Sequence, residues 1–286
     1  MNTRSLRIIN TVAFAAMIAV NALANLIPLG LGTTAAVSAK YPTLFTPAPL
    51  TFAVWGVIYA AMGVFILYQW GAFDPKERSI GVLSDIGPAF AVSCAMNIGW
   101  VFSWHYDAIL LSVLFMAGLT VSLAVTVRRL EKSRRQGFLR TVTGFGFDLY
   151  LGWIIAAAVA NVSVLLVALG WDRFGLPQTF WTAAVLIVAS VLGSLPTLYG
   201  RHYFATAGVA WAFIGLLVRH FAKPDAGGFG GKYFEVISVA LFGLVIMLCA
   251  VIYKVLDRMM EEAEKQYIET GSALRYHEKS KKMKGI

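Results

Sequence analysis

The chain has 286 residues, of which 58% are hydrophobic and 14% charged, whereas a soluble domain averages about 25% charged residues. This composition excludes an ordinary soluble enzyme and predicts an all-α integral membrane protein. The net charge of +9 is not accompanied by any nucleic-acid-binding motif, so a nucleic-acid partner is not expected.

Eight apolar segments follow one another along the chain, and each is of the length that crosses a bilayer, about 17–25 residues. The breaks between them contain glycine, proline and aspartate, as turns do. We therefore predict about eight transmembrane helices. The segments are residues 8–29, 50–71, 82–104, 108–127, 145–169, 179–198, 203–219 and 233–253.

The first segment allows two interpretations. Arg4 and Arg7 precede an apolar stretch that contains Ala-Leu-Ala at residues 22–24, which resembles a cleaved signal peptide. The apolar stretch continues past that point, and its asparagines share one helical face, which favours a retained helix whose polar face meets protein. The residues on this face are Asn10, Met17, Asn21 and Asn25.

The second segment gathers its large side chains on one side. Residues 50–70 contain no charge, and at about 100° per residue six bulky residues form one stripe. Such a stripe is typical of packing against a neighbouring helix, or of an aromatic wall around a flat apolar ligand. The stripe consists of Phe52, Trp55, Tyr59, Met62, Ile66 and Trp70.

The third and fifth segments carry similar stripes that combine aromatic rings with an amide or a hydroxyl. Large rings with a few polar groups are what an apolar binding pocket is made of, although tryptophans at helix ends also form interfacial belts. The residues are Phe90, Ser93, Asn97, Trp100 and Trp104 in the third segment, and Tyr150, Trp153, Ala157 and Asn161 in the fifth.

Ionisable residues are predicted at the ends of the segments. Asp85, Asp107 and Asp148 are placed at helix starts, where the helix dipole favours a carboxylate. No ionisable residue is expected in the middle of a span, which argues against an ion-coupled transporter. The histidines are also expected at helix ends or in the tail, so no span is expected to bury an axial haem ligand.

The distribution of lysine and arginine predicts the orientation. With the N-terminus in the cytoplasm, nineteen of the 24 lysines and arginines fall on the cytoplasmic side, as the positive-inside rule requires. We expect a multi-pass protein of the cell membrane with both termini in the cytoplasm.

Three motifs in chain order resemble the TspO/translocator-protein family, the tryptophan-rich sensory proteins. The second segment contains W-x3-Y-x2-M-G-x6-W, the third N-x2-W and the fifth Y-x2-W-x3-A-x3-N. The matching residues are Trp55, Tyr59, Met62, Gly63, Trp70, Asn97, Trp100, Tyr150, Trp153, Ala157 and Asn161.

The resemblance implies a five-helix bundle that binds porphyrins, haem-like tetrapyrroles or sterols below its first loop. It gives Trp55 and Asn97 the role of polar ligand contacts, converging on one cavity beneath residues 30–49. Replacing Asn97 by Ala is then expected to weaken binding by about 1–3 kcal/mol. The sequence departs from the family pattern at Leu50, where a tryptophan is common, and at Ala95, where a glutamine is common.

The predicted organisation has three parts: a TspO-like bundle at residues 1–170, three additional transmembrane helices at 171–254 and a basic cytoplasmic tail at 255–286. The favoured function is binding or sensing of a hydrophobic planar ligand, with a porphyrin or haem-like ligand as the one cofactor suggested. A membrane transporter or enzyme that uses the same bundle for another small apolar substrate is the alternative, although no catalytic or metal-binding motif appears. Membrane lipids are expected partners, and a homodimer is left open. The predicted ligand-binding residues are Trp55, Tyr59, Met62, Asn97, Trp100, Tyr150, Trp153, Ala157, Asn161 and Asn21.

Overall fold

A computed structural model describes residues 2–27, 30, 32–72, 78–132 and 138–283 of the chain. Over these ranges the protein consists of α-helices joined by short 3-10 turns and loops, with no strand. The helices are α1 (Thr3–Leu26), α2 (Thr34–Lys40), α3 (Val54–Gln69), α4 (Arg78–Ile86), α5 (Ala89–His105), α6 (Ile109–Lys132), α7 (Phe138–Ala168), α8 (Gln178–Gly200), α9 (Tyr203–Phe221) and α10 (Phe234–Met283).

The protein is an all-α, multi-pass membrane protein. Among the described residues, seven helices are long and apolar enough to cross a membrane, namely α1, α3 together with the 3-10 turn Pro49–Ala53 before it, α6, α7, α8, α9 and α10. The predicted third span at residues 82–104 is wrong as one continuous helix, because the backbone turns at Gly87 and Pro88. Proline removes a backbone donor and disfavours helix at the preceding residue. The remaining piece, α5, has 17 residues, the lower limit for a span.

Helix α7 lies at the centre of the bundle. It packs against α6 on one side and α9 on another, while α5 packs against α1 and α6. Helix α8 packs mainly against α9 and α10 and only slightly against α7. One apolar core therefore joins α1 and α3 to α7, and a second joins α8, α9 and α10.

The close approach of α7 and α9 depends on glycine. A Cβ atom added at Gly152 of α7 would lie 1.9 Å from the carbonyl oxygen of Ala205 in α9. A Cβ at Gly208 of α9 would lie 2.9 Å from the backbone of Leu149 and Trp153. Small residues let membrane helices approach backbone to backbone, and this contact fixes Trp153 beside α9.

The two ends of the bundle are distinct. Arg7 at the start of α1 lies over the Trp70 ring at the end of α3, and Arg201 after α8 pairs with Glu261 of α10. Lys40 and Asp107 pair at the opposite end. The start of α1 and the second half of α10 therefore lie at the same end, and the assignment of that end to the cytoplasm stays a prediction from charge.

Candidate functional site

Trp55 is the centre of an aromatic cluster contributed by three helices. Its ring stacks on Tyr59 at 5.3 Å and on Trp100 at 6.5 Å between centroids. Tyr150 and Trp153 meet it edge-on at 5.7 and 6.2 Å. The predicted second segment began at residue 50, but Pro49–Ala53 forms a 3-10 turn and α3 begins only at Val54. Trp55 therefore lies in the first turn of α3.

A cavity of about 80 Å³ adjoins this cluster. The tryptophans Trp55, Trp100, Trp104 and Trp153 supply its aromatic walls. Ala157 and Asn161 line it from α7, one and two turns beyond Trp153. The described residues that line it include no histidine and no cysteine.

Two tryptophans that line the cavity carry a buried donor without a partner among the described residues. The indole nitrogens of Trp100 and Trp153 have no hydrogen-bond acceptor within the described ranges, and the side chains are 7% and 4% exposed. An unsatisfied buried donor costs about 1–3 kcal/mol. Two such donors at one cavity are a reason to expect a ligand that carries acceptors.

Asn161 adds a third polar group to the cavity. One end of its carboxamide lies 2.9 Å from the Ser112 hydroxyl, which also lies 2.7 Å from the Ile109 carbonyl oxygen. The contact is with the carboxamide oxygen, so the Ser112 hydroxyl donates and Asn161 accepts. The amide of Asn161 is then left as a donor for the cavity.

Asn97 is not among the residues that line this cavity, and its convergence with Trp55 on a ligand stays a prediction. Its carboxamide oxygen accepts from the Asn21 amide at 2.7 Å, and its own amide donates to the Tyr150 hydroxyl at 3.1 Å. Asn21 also donates to the Met17 carbonyl. These groups form a buried hydrogen-bond network that joins α1, α5 and α7 beside the aromatic cluster.

The remaining predicted residues occupy the surroundings of the cluster. Met62 is fully buried and faces Gly146 of α7, so it packs α3 against α7 away from the cavity. On the polar face of α1, Asn10 is buried and donates to Gln69, and Met17 is buried. The side chain of Asn25 lies outside the described residues.

Helix α9 contributes part of the site that the sequence did not reveal. Ala212, Phe213 and Leu216 line the cavity. They come from the segment predicted at residues 203–219, whose one local signal is the small-residue spacing of Gly208 and Ala212, which allows close approach of another helix. Nothing in the local pattern of α9 indicated this role, because it follows from the backbone contact with α7.

The loop of residues 42–48, here the roof loop, borders the cavity and is held by α9. The backbone N–H of Ala48 donates to Gly215, and Arg219 donates to the Thr46 carbonyl at 3.3 Å. His220 lies 2.9 Å from the Leu44 carbonyl. A carbonyl only accepts, so the Nε2 atom of His220 carries the proton.

Two expectations about ionisable groups are wrong. Asp148 is not at a helix start, because α7 begins at Phe138, and its carboxylate is buried 3.0 Å from Nδ1 of His202. The histidines His105, His202 and His220 do lie at helix ends as predicted, but the expectation that no span buries a histidine is wrong for His220, which is next to last in α9 and 0% exposed. The fifth segment extends further towards its N-terminus than its apolar part suggested, which places Asp148 inside the helix.

His202 connects three helices at the end of the bundle opposite to the roof loop. It lies between α8 and α9 and contacts Asp148 of α7 and Glu131 of α6 at 3.0 and 3.4 Å. Burial lowers the pKa of His202, but the hydrogen bond and charge of Asp148, with a contribution from Glu131, raise it above the ordinary value of 6.5.

A second and larger cavity lies on the other side of α7. It is a groove of about 710 Å³ between α7 and α8, lined almost entirely by apolar side chains. Phe45 of the roof loop, which is 5% exposed, borders both the groove and the aromatic cavity.

Comparison with known proteins identifies the family. No curated protein and no solved structure matches the chain. The family described as TSPO-like protein matches residues 7–253, from α1 through the apolar part of α10. The match therefore includes α8 and α9 as well as the helices that carry the tryptophan motifs, and the chain belongs to the TSPO-like protein family.

Proposed function

We propose that the protein binds a hydrophobic, planar ligand of the tetrapyrrole or sterol class in its aromatic cavity. The observation that carries the proposal is the pair of buried indole N–H groups of Trp100 and Trp153, which have no acceptor in the described part of the chain. A ligand with oxygen acceptors on its edge would satisfy both donors. Ring faces of Trp55 and Trp100 supply stacking partners for its flat body.

The polar groups favour a tetrapyrrole over a sterol. Two indole donors and one carboxamide call for several acceptors, which the carboxylate side chains of a porphyrin provide and the single hydroxyl of a sterol does not. Because no histidine or cysteine lines the cavity in the described residues, a tetrapyrrole would be held by stacking and hydrogen bonds.

Binding requires the site to open. The cavity of about 80 Å³ has room for a few water molecules at about 30 Å³ each, whereas ligand pockets measure about 300–1,000 Å³. The roof loop is the wall that would move: one backbone hydrogen bond and the Arg219 and His220 side chains hold it to α9, and Leu44 and Phe45 pack into the apolar core of α8, α9 and α10. Ligand entry would break these contacts, which gives a sensing function a physical basis.

Proton-coupled transport is a second candidate, favoured by the buried contact between Asp148 and His202. Ionisable groups inside spans often serve proton relays. Transport predicts that a pH gradient across liposomes drives uptake of protoporphyrin IX, and that Asp148→Asn abolishes the gradient dependence while binding persists. Equal uptake with and without a gradient would contradict it.

The test of binding is a titration of the purified protein with protoporphyrin IX, followed through the absorbance of the porphyrin. Trp153→Phe keeps the ring and removes the N–H group, and we expect it to weaken binding by about 1–3 kcal/mol, which is roughly 5- to 150-fold. Trp181→Phe is the matched control, because Trp181 lines the groove and not the cavity. Equal affinity of both variants, or no porphyrin binding by the unaltered protein, would overturn the proposal.

A further inference from the structure

The groove between α7 and α8 has the dimensions of one membrane leaflet. It exists because α8 packs against α9 and α10 and diverges from α7. Its α8 wall runs from Gln178 to Leu192, which is about 21 Å at a rise of 1.5 Å per residue. A leaflet with its headgroup region is about 20–22 Å deep, so the groove reaches from the membrane surface to the middle of the bilayer.

The polar side chains along the groove have partners within the protein. Their hydrogen bonds are formed with neighbouring backbone carbonyls or with each other, so none calls for a polar group on an occupant. They are Ser163 with Val159, Thr182 with Gln178, Gln178 with Pro42, and Thr43 with Thr46.

Arg173 is the one charged residue among those described that line the groove. It lies at the mouth, where Trp181 donates to its backbone carbonyl at 2.8 Å, and its guanidinium forms no ion pair or hydrogen bond in the described part of the chain. The adjacent carboxylate of Asp172 is engaged instead with the backbone N–H of Phe174 at 2.9 Å. The guanidinium is therefore available to an anion at the level of the headgroups.

Aromatic rings mark the same level. Trp171, Phe174, Phe180 and Trp181 contact one another at the mouth of the groove. Tryptophan concentrates at the membrane–water interface, so Arg173 lies at the depth of lipid phosphates.

A second groove, lined by α6, α7 and α8, lies at the level of the other leaflet and provides a contrast. It measures about 440 Å³ and meets the first one at Ala158, Val159 and Leu192. Its charged end holds Arg128 together with Glu131 and His202. A phosphate there would face a carboxylate as well as a guanidinium, so the second groove lacks the complementarity of the first.

We propose that the groove between α7 and α8 is a specific site for one phospholipid, with an acyl chain along α8 and the phosphate paired with Arg173. Arginine recognises phosphate through two parallel hydrogen bonds. An apolar wall one leaflet deep with a single cation at its mouth is complementary to a long apolar chain that ends in one anionic group. This site is separate from the proposed ligand in the aromatic cavity and does not depend on it.

The experiment is native mass spectrometry of the delipidated full-length protein titrated with dioleoyl phosphatidylglycerol in mild detergent. We expect one tightly held lipid on the unaltered protein and at least tenfold weaker retention by Arg173→Ala, with partial recovery in Arg173→Lys. Arg128→Ala, which removes the guanidinium of the second groove, should retain the lipid. Equal loss in both alanine variants, or equal retention, would overturn the proposal.

The groove itself is tested by a pair of tryptophan substitutions on α8. Ala184→Trp fills the groove and should displace the lipid, whereas Ile187→Trp, at a position that faces the membrane outside the groove, should not. A diazirine-labelled acyl chain of the same lipid, photolysed on the unaltered protein, should label α7 and α8 beside the groove even if a variant fails to fold. Labelling spread evenly over all helices would contradict the site.

Discussion

Of the two cavities that flank α7, the smaller one has the unpaired indole donors and the larger one has hydroxyl and amide groups that are already paired. The aromatic cavity measures about 80 Å³ and is bordered by two buried indole donors without partners. The groove measures about 710 Å³, and its described hydroxyl and amide side chains are satisfied. Volume alone would direct attention to the groove. The unpaired donors are the reason why we propose the smaller cavity as the site of a ligand with several acceptors.

The position of α7 between the two cavities depends on its contact with α9, and breaking that contact should have the largest effect. Gly152→Ala places a Cβ atom 1.9 Å from the Ala205 carbonyl oxygen, so the helices must separate. We expect a loss of about 3 kcal/mol or more in unfolding free energy, at or above the usual range for overpacking, measured by thermal unfolding in detergent.

Gly63 provides the control for this prediction. A Cβ added there meets no atom within 4 Å, and alanine favours helix over glycine by about 1 kcal/mol. Gly63→Ala should therefore unfold at the same or a higher temperature than the unaltered protein. A similar loss of unfolding free energy in Gly152→Ala and Gly63→Ala would show that stability does not depend on the close contact between α7 and α9.

Asn97→Ala tests whether the hydrogen-bond network around Asn97 stabilises the fold or contributes to ligand binding in the cavity. The substitution removes the acceptor of the Asn21 amide and the donor to the Tyr150 hydroxyl, so we expect the unfolding free energy to fall by about 1–3 kcal/mol. Porphyrin affinity should change less than in Trp153→Phe, because Asn97 does not line the cavity. A large loss of affinity with unchanged stability would return Asn97 to the role of a direct ligand contact.

The smallest expected effect concerns His202 and pH. Its pKa is raised in the folded protein by Asp148 and Glu131 despite burial, so its stabilising contribution is fully present below the unfolded pKa of about 6.5. That contribution is lost as pH rises through the folded pKa. The melting temperature of the unaltered protein should thus fall by a few degrees between pH 6 and pH 9 relative to that of His202→Gln. Parallel pH profiles of the two proteins would contradict this.

The sequence predicted the helices and the residues of the aromatic cluster because both depend on local periodicity. Trp55, Trp100 and Trp153 fell on single faces of apolar helices, and these faces meet in the structure. The break at Gly87 and Pro88 was also visible as a turn-forming dipeptide, but the apolar segment around it was interpreted as continuous.

Other parts of the site could not be predicted because they depend on which helices touch. Asn97 bonds to Asn21, which is 76 residues away along the chain, and a helical face does not specify a distant partner. The hydrogen bond between α9 and the roof loop likewise joins two residues that are 176 positions apart, Leu44 and His220. The spacing of Gly208 and Ala212 in α9 indicates close approach to another helix, but it does not say which helix, so only the packing at Gly152 and Gly208 reveals the role of α9.

The most direct test of the account is a cryo-EM structure of the protein in nanodiscs with protoporphyrin IX bound. We predict porphyrin density against the rings of Trp55 and Trp100, an oxygen acceptor within hydrogen-bond distance of the Trp153 indole nitrogen, and a roof loop released from Gly215 and His220. Porphyrin density confined to the groove between α7 and α8, with the aromatic cavity unchanged, would contradict the central claim that the small cavity is the ligand site.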